Sequence, residues 1–295
     1  MRDWGRLLTA IVTPFSSDGR NVNHAEMARI AGHLVDTGSS GIVVAGTTGE
    51  SPTLSHEEKI AVFGTVRDAV GQRAAVVAGT GSNDTEQSIR VTIEAEKMGL
   101  DGVMLVAPYY NKPSQDGLFR HFEAIASRTK LPVLIYNIPS RTSVNVEPAT
   151  ILRLMDACSN VIAVKEASGN IGQISELCAA VPEGRRVYSG DDALTLPVLA
   201  VGGYGVVSVM AHVAGKAIRE MIEAYVSGNG AEALRLHRQT APLCRALFCT
   251  TSPTPVKEAV GMLGFDVGPV RLPLVPLTSE QRSLVRDAMV AAGVL

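Results

Sequence analysis

Eight short, continuously apolar runs recur between residues 7 and 209, and this repeat limits the fold more than any other feature of the sequence. They occupy 7–15, 41–46, 74–79, 102–107, 133–136, 161–165, 186–189 and 205–209. A strand covered on one face alternates apolar and polar residues. Unbroken apolar runs of this length belong to strands covered on both faces, as in parallel sheets. Between the runs lie helix-like stretches with their own start and stop signals. Asn23 precedes an amphipathic segment over 24–36, and Ser55 stands before Glu58 at capping-box spacing. Asn83 or Asp84 opens the stretch that reaches Met98, and Gly99 closes it. Eight βα units of roughly 27 residues predict an α/β fold, a (β/α)8 TIM barrel over residues 1–228. A doubly wound sheet fits less well: it calls for a glycine-rich turn after the first strand, where this chain has Thr13-Pro14-Phe15. From 229 the strand pattern stops. The stretches 231–248, 255–263 and 279–292 read as helices, predicting a three-helix C-terminal appendage over 229–295.

Composition narrows the function by exclusion. The 27 basic and 29 acidic residues leave a net charge of −2, no electrostatic footprint for nucleic acid or an anionic membrane. The apolar runs are too short to span a bilayer, and the N-terminal one leads directly into the first strand pattern, which predicts a cytoplasmic protein. Cys158, Cys178, Cys244 and Cys249 have no C-x-x-C spacing and read as free thiols in a reducing compartment. The six histidines are dispersed, so no metal is expected.

In a β/α barrel, chemistry gathers where strands end and βα loops begin. Lys165 closes the run over 161–165, and strand alternation puts Val161, Ala163 and Lys165 on one face with Glu166 on the other. Such a lysine can reach for solvent or pair with Glu166. It can also serve as a Schiff-base amine, which must be neutral to attack a carbonyl. An ordinary lysine is neutral in only about one molecule in 2,500 at pH 7, and dry apolar surroundings are what disfavour the ammonium. Tyr136 ends the fifth run, either as core packing or as a phenol that passes protons. Arg141 follows in Tyr136-Asn-Ile-Pro-Ser-Arg, as a solvated loop residue or as a fork for a carboxylate. The second run ends in Gly46-Thr47-Thr48-Gly49-Glu50-Ser51, a plain turn or one whose amides and hydroxyls hold a small carboxylate. Tyr109 and Tyr110 are consecutive aromatics in a loop, where packing seldom needs both. Around Ser189-Gly190-Asp191-Asp192 and Gly202 to Val207, small residues leave room at the barrel mouth. The acids there read as helix caps, and the backbone around Gly190 as a ligand contact.

Taken in order, these segments resemble the dihydrodipicolinate synthase / N-acetylneuraminate lyase family over nearly the whole chain. Gly46-Thr-Thr-Gly-Glu-Ser is similar to one family signature. Tyr136-Asn-Ile-Pro through Val161-Ile-Ala-Val-Lys165 is similar to the second, and Pro108-Tyr-Tyr-Asn-Lys-Pro-Ser-Gln and Ser189-Gly-Asp-Asp add support. The resemblance implies that Lys165 forms a pyruvate imine, that Tyr136 relays protons, and that Thr48 links Tyr136 to a Tyr110 lent to a neighbouring subunit. It implies that Thr47 and Thr48 hold the pyruvate carboxylate, that the backbone at Gly190 and Val207 lines the pocket, and that no metal or organic cofactor takes part. It implies a homotetramer built as a dimer of dimers.

Within the family, Arg141 resembles the arginine of the synthase branch, which binds the carboxylate of L-aspartate 4-semialdehyde. That implies a lyase of lysine and diaminopimelate biosynthesis. Two readings stand beside it: a pyruvate-dependent sugar-acid aldolase of the N-acetylneuraminate or 2-keto-3-deoxygluconate type, and a ligand-sensing barrel without chemistry. Ser51, His56, Asn83 and Tyr109 resemble the family's lysine-feedback site. Lys59 stands there in place of a histidine and Gln87 in place of a glutamate. An added cation and a lost acid predict weak or absent inhibition by lysine.

Overall fold

A computed structural model describes residues 2–295. Eight parallel strands close into a barrel in sequence order: β1 (Leu7–Ala10), β2 (Gly41–Val44), β3 (Ala75–Gly79), β4 (Gly102–Val106), β5 (Val133–Asn137), β6 (Val161–Glu166), β7 (Arg186–Ser189) and β8 (Gly205–Ser208). β8 returns to pair with β1, Val207 opposite Leu8. The TIM barrel expected from the repeat is present. The first run is shorter as a strand than as an apolar stretch. Beyond Ala10 the Val12 amide turns to His212 Nε2 (3.0 Å), and the Thr13 hydroxyl donates to the Gly49 carbonyl (2.7 Å).

The helices begin where local chemistry directs. Asn23 caps His24–Asp36 by accepting from the Glu26 amide. Ser55 and Glu58 form the reciprocal capping box of His56–Val70, with 3.2 and 2.9 Å bonds. Of the two candidates before Thr85–Lys97, Asp84 is the cap and accepts from the Gln87 amide at 2.7 Å.

Two apolar clusters carry the packing. The larger fills the space between barrel and helices; the smaller lies inside the barrel and includes Leu8, Val43, Val77, Leu134, Ala163 and Val207. Trp4 plugs the N-terminal end, its indole donating to the Asp101 carbonyl (3.2 Å). A Cβ on Gly102 would come within 2.3 Å of that ring, so the plug requires glycine there. Tyr188 adds to the floor by donating to the Gly5 carbonyl at 2.8 Å. The bottom is shut, and the strand C-termini form the open end.

One detail of strand alternation differs from expectation. Ala163 faces the barrel interior, but Val161 packs in the outer cluster. The pairing of β5 with β6 shifts register between Val133 and Leu134, opposite Val161 and Ala163, and this irregularity resets the two-residue period before Lys165.

After the barrel helix Ala211–Val226, the chain forms helices Gly230–Ala246, Thr254–Met262 and Ser279–Ala291. The loop after the second of these returns to the barrel mouth, where the Phe15 amide donates to the Val267 carbonyl at 3.0 Å.

Candidate active site

Tyr136 and Lys165 are direct neighbours across the β5–β6 pair, and Lys165 is matched in turn with Tyr188 on β7. Lys165 is 4% exposed, and its Nζ lies 4.1 Å from the centroid of the Tyr136 ring. Glu166 takes the opposite face and is occupied there. It accepts from Asn137 Nδ2 (3.0 Å), from the Ser168 amide (2.7 Å) and from Gln173 Nε2 (3.3 Å). Among the described residues no salt bridge joins Lys165 to any carboxylate. The amine is therefore buried against an aromatic face with no carboxylate paired to it among the described residues. Gly190 contributes by having no side chain. A Cβ there would sit 3.1 Å from Lys165 Cε and 2.6 Å from the Ala167 Cβ.

Tyr136 borders a cavity of about 260 Å³ whose lining also includes Thr47, Arg141, Ser51, Lys59 and Tyr109, while Lys165 lies behind that lining. Thr47 comes from the turn after β2. There the Glu50 amide donates to the Thr47 carbonyl (3.1 Å), and the Ser51 amide to the Gly46 carbonyl (3.3 Å). Gly49 is needed in this turn, since a Cβ on it would press within 3.1 Å of the Ile11 carbonyl. Thr48 is buried beside Thr47. Arg141 rides on a single helical turn, Pro139–Thr142, and its Nη2 donates to the Ser252 carbonyl at 3.2 Å. Among the described residues no acidic one lines this cavity. Two cations, Arg141 and Lys59, face it, and burial lowers the pKa of the Lys59 amine. Two cations without a lining acid favour an anionic guest.

The remaining candidates divide. Val207 is buried inside the barrel. Asp191 caps a short turn by accepting from the Ala193 amide (2.9 Å), and Asp192 is buried under β8, accepting from the Val209 and Met210 amides (both 2.9 Å). Both acids act as caps and ties, as their sequence context implied. Tyr110 is not brought to this chain's own site. It is 89% exposed, with a positive φ of 74°, and among the described residues no hydrogen bond joins Thr48 to Tyr136 or Tyr110. Of the feedback set, Ser51 and Tyr109 reach the cavity, while His56 faces Glu94 (3.2 Å) and the Asn83 carbonyl accepts from Asn111. Sequence reasoning did not single out the buried pair of Glu50 and Lys257, 2.8 Å apart. The only local signal was an acid inside a turn otherwise made of small residues.

The sequence matches the model of the dihydrodipicolinate synthetase family over residues 3–292. The chain belongs to this family. It is 56% identical over 292 residues to the 4-hydroxy-tetrahydrodipicolinate synthase of Moorella thermoacetica, covering 99% of both chains. It is 51% identical over 280 residues to that of Bacillus subtilis, covering 95% of this chain and 96% of the relative. The crystal structure of the family member from Cyanidioschyzon merolae with lysine bound superposes with a TM-score of 0.98 at 47% identity, covering 99% of each chain. As a dihydrodipicolinate synthetase family member, the chain is a lyase of the class I aldolase type.

Proposed function

We propose that this chain condenses pyruvate with L-aspartate 4-semialdehyde to give 4-hydroxy-tetrahydrodipicolinate, by way of an imine on Lys165. The observation that carries this reading is a buried amine with no carboxylate partner, paired across two strands with Tyr136 at the open end of the barrel. Lys165 adds to the pyruvate ketone and water leaves, with Tyr136 passing the proton to the departing hydroxyl. The imine draws electrons from the methyl carbon, which loses a proton to form the enamine. That carbon bonds to the aldehyde carbon of the semialdehyde, and the new alkoxide is protonated through Tyr136. The substrate's own amine then attacks the imine carbon, closes the ring and releases Lys165. Thr47 and Thr48 hold the pyruvate carboxylate, Gly190 and Val207 wall the pocket, and Arg141 takes the carboxylate of the semialdehyde. In the assembled protein, Thr48 links Tyr136 to a Tyr110 supplied by a second copy.

The experiment is borohydride reduction in the presence of pyruvate, followed by peptide mapping. Lys165 is the residue expected to carry the label, and an unlabelled Lys165 overturns the reading. Arg141→Ala is expected to raise the semialdehyde KM about tenfold or more while trapping of pyruvate continues, since it removes one charge-assisted carboxylate contact. Equal turnover of a sugar-acid aldehyde would instead favour a sister aldolase.

We further propose a homotetramer built as a dimer of dimers, working in the cytoplasm. No described helix is long and apolar enough to cross a membrane. Lysine is expected to inhibit weakly or not at all, because Lys59 places a cation in the cavity that the ligand's amine would have to share. Clear inhibition of turnover by millimolar lysine would contradict this.

A further inference from the structure

Glu50 combines three features that rarely coincide: it is 2% exposed, it has a left-handed φ of 53°, and it lies two residues after Thr48. A non-glycine residue in that conformation costs about 1 kcal/mol or more and persists where its surroundings fix it. Here they do. Glu50 Oε1 accepts from Lys257 Nζ and Oε2 from the Arg271 amide, both at 2.8 Å. Lys257, also 2% exposed, gives a second hydrogen bond to the Pro269 carbonyl (2.8 Å) and stacks 4.1 Å from the Phe15 ring centroid. The Arg271 guanidinium lies 4.0 Å from the same centroid and pairs with Glu58 in the helix that follows the turn. All of Lys257, Pro269 and Arg271 belong to the chain beyond the barrel. The same stretch supplies the Ser252 carbonyl that receives Arg141.

We propose that Lys257 is a positioning residue for pyruvate: through Glu50 it sets the height of the turn that presents Thr47 and Thr48. The proposal rests on the assignment of the pyruvate carboxylate to those two threonines. Lys257 touches no substrate. Its ammonium fixes the carboxylate of Glu50, and the Glu50 backbone, bonded to the Thr47 carbonyl at 3.1 Å, passes that constraint to the turn. A pair kept only for stability has no reason to act on one substrate more than the other. A buried pair is also often replaceable by apolar groups of matching volume.

The test uses the full chain with Lys257→Met and the double variant Glu50→Gln/Lys257→Met, which removes both charges if the single change leaves too costly an orphan. The expected result is a rise of about tenfold in pyruvate KM, with the semialdehyde KM and kcat within about threefold of the parent. The double variant is expected to be no worse than Lys257→Met, the non-additivity of two residues acting as one unit. An unchanged pyruvate KM in whichever variant folds overturns the proposal. So does an equal rise in both KM values, which marks general loosening, or failure of both variants to fold, which makes the pair a folding requirement alone. Borohydride trapping at saturating pyruvate separates this from the catalytic assignment. Label on Lys165 in the parent and in folded variants leaves that assignment standing whatever the KM values do.

Discussion

His212 is wholly buried at the start of the helix Ala211–Val226, its Nε2 accepting from the Val12 amide (3.0 Å) and its Nδ1 donating to the Val209 carbonyl (2.8 Å). Burial pushes its pKa down to about 4. An unfolded histidine titrates near 6.5, so below that pH the unfolded chain takes up a proton that the folded chain refuses. Stability attributable to this ring is therefore complete above about pH 6.5 and is lost as pH falls toward 4. His121, half of whose ring bonding goes to Thr85, is likewise held at about 4 by burial and acts with the same sign. Urea midpoints measured from pH 7 to pH 4 are expected to fall steadily, and His212→Gln to reduce the slope by about one proton's worth. A slope unchanged in that variant would remove His212 from the account. Residues of this kind were not visible in the sequence, where His212 was one of six dispersed histidines. Lys165 and Tyr136 were visible, because a polar group closing an apolar run stands out against its neighbours, and Arg141 was visible through its place just after Tyr136. The pairing of Glu50 with Lys257 did not stand out, since 207 positions separate them and an acid in a turn of small residues does not announce a distant partner.

At the scale of elements, what is local was legible. Asn23 and the Ser55–Glu58 pair mark helix starts because a cap is made by residues within one turn of each other. Ser55→Ala is expected to cost about 1 kcal/mol, read as a lower melting temperature with both KM values unchanged, because the cap serves the helix and not the cavity. Elements of about one helical turn escaped. The turn Pro139–Thr142 that carries Arg141 is four residues long and gives no periodic signal. The face of Val161 was misassigned for a related reason: a register shift depends on the neighbouring strand, and single-strand alternation does not contain it.

At the scale of the molecule, the eightfold repeat was enough to give the closed barrel, since the alternation of apolar runs and helices leaves few other ways to bury both faces of a parallel sheet. The association of copies is not written in such a repeat. Tyr110, exposed and held at positive φ beside Tyr109, is the feature that a second copy would cover. Sedimentation is expected to give four copies. Tyr110→Phe is expected to leave that assembly intact while lowering kcat about tenfold, as loss of one member of a proton relay does. Unaltered turnover would show that the phenol serves contact only. We propose that the division near residue 228 separates a barrel that carries the chemistry from a helical segment that seats its second loop.

The tie between Glu50 and Lys257 also has a consequence in time. A ribosome making this chain from its N-terminus releases the loop after β2 long before the lysine that anchors it, and before the carbonyl that meets Arg141. Until residues 257 to 271 have emerged, Glu50 lacks both the ammonium and the amide from which its carboxylate accepts. On the positioning role proposed for Lys257, the turn that presents Thr47 and Thr48 therefore gains its seat late in synthesis, and with it full affinity for the keto acid.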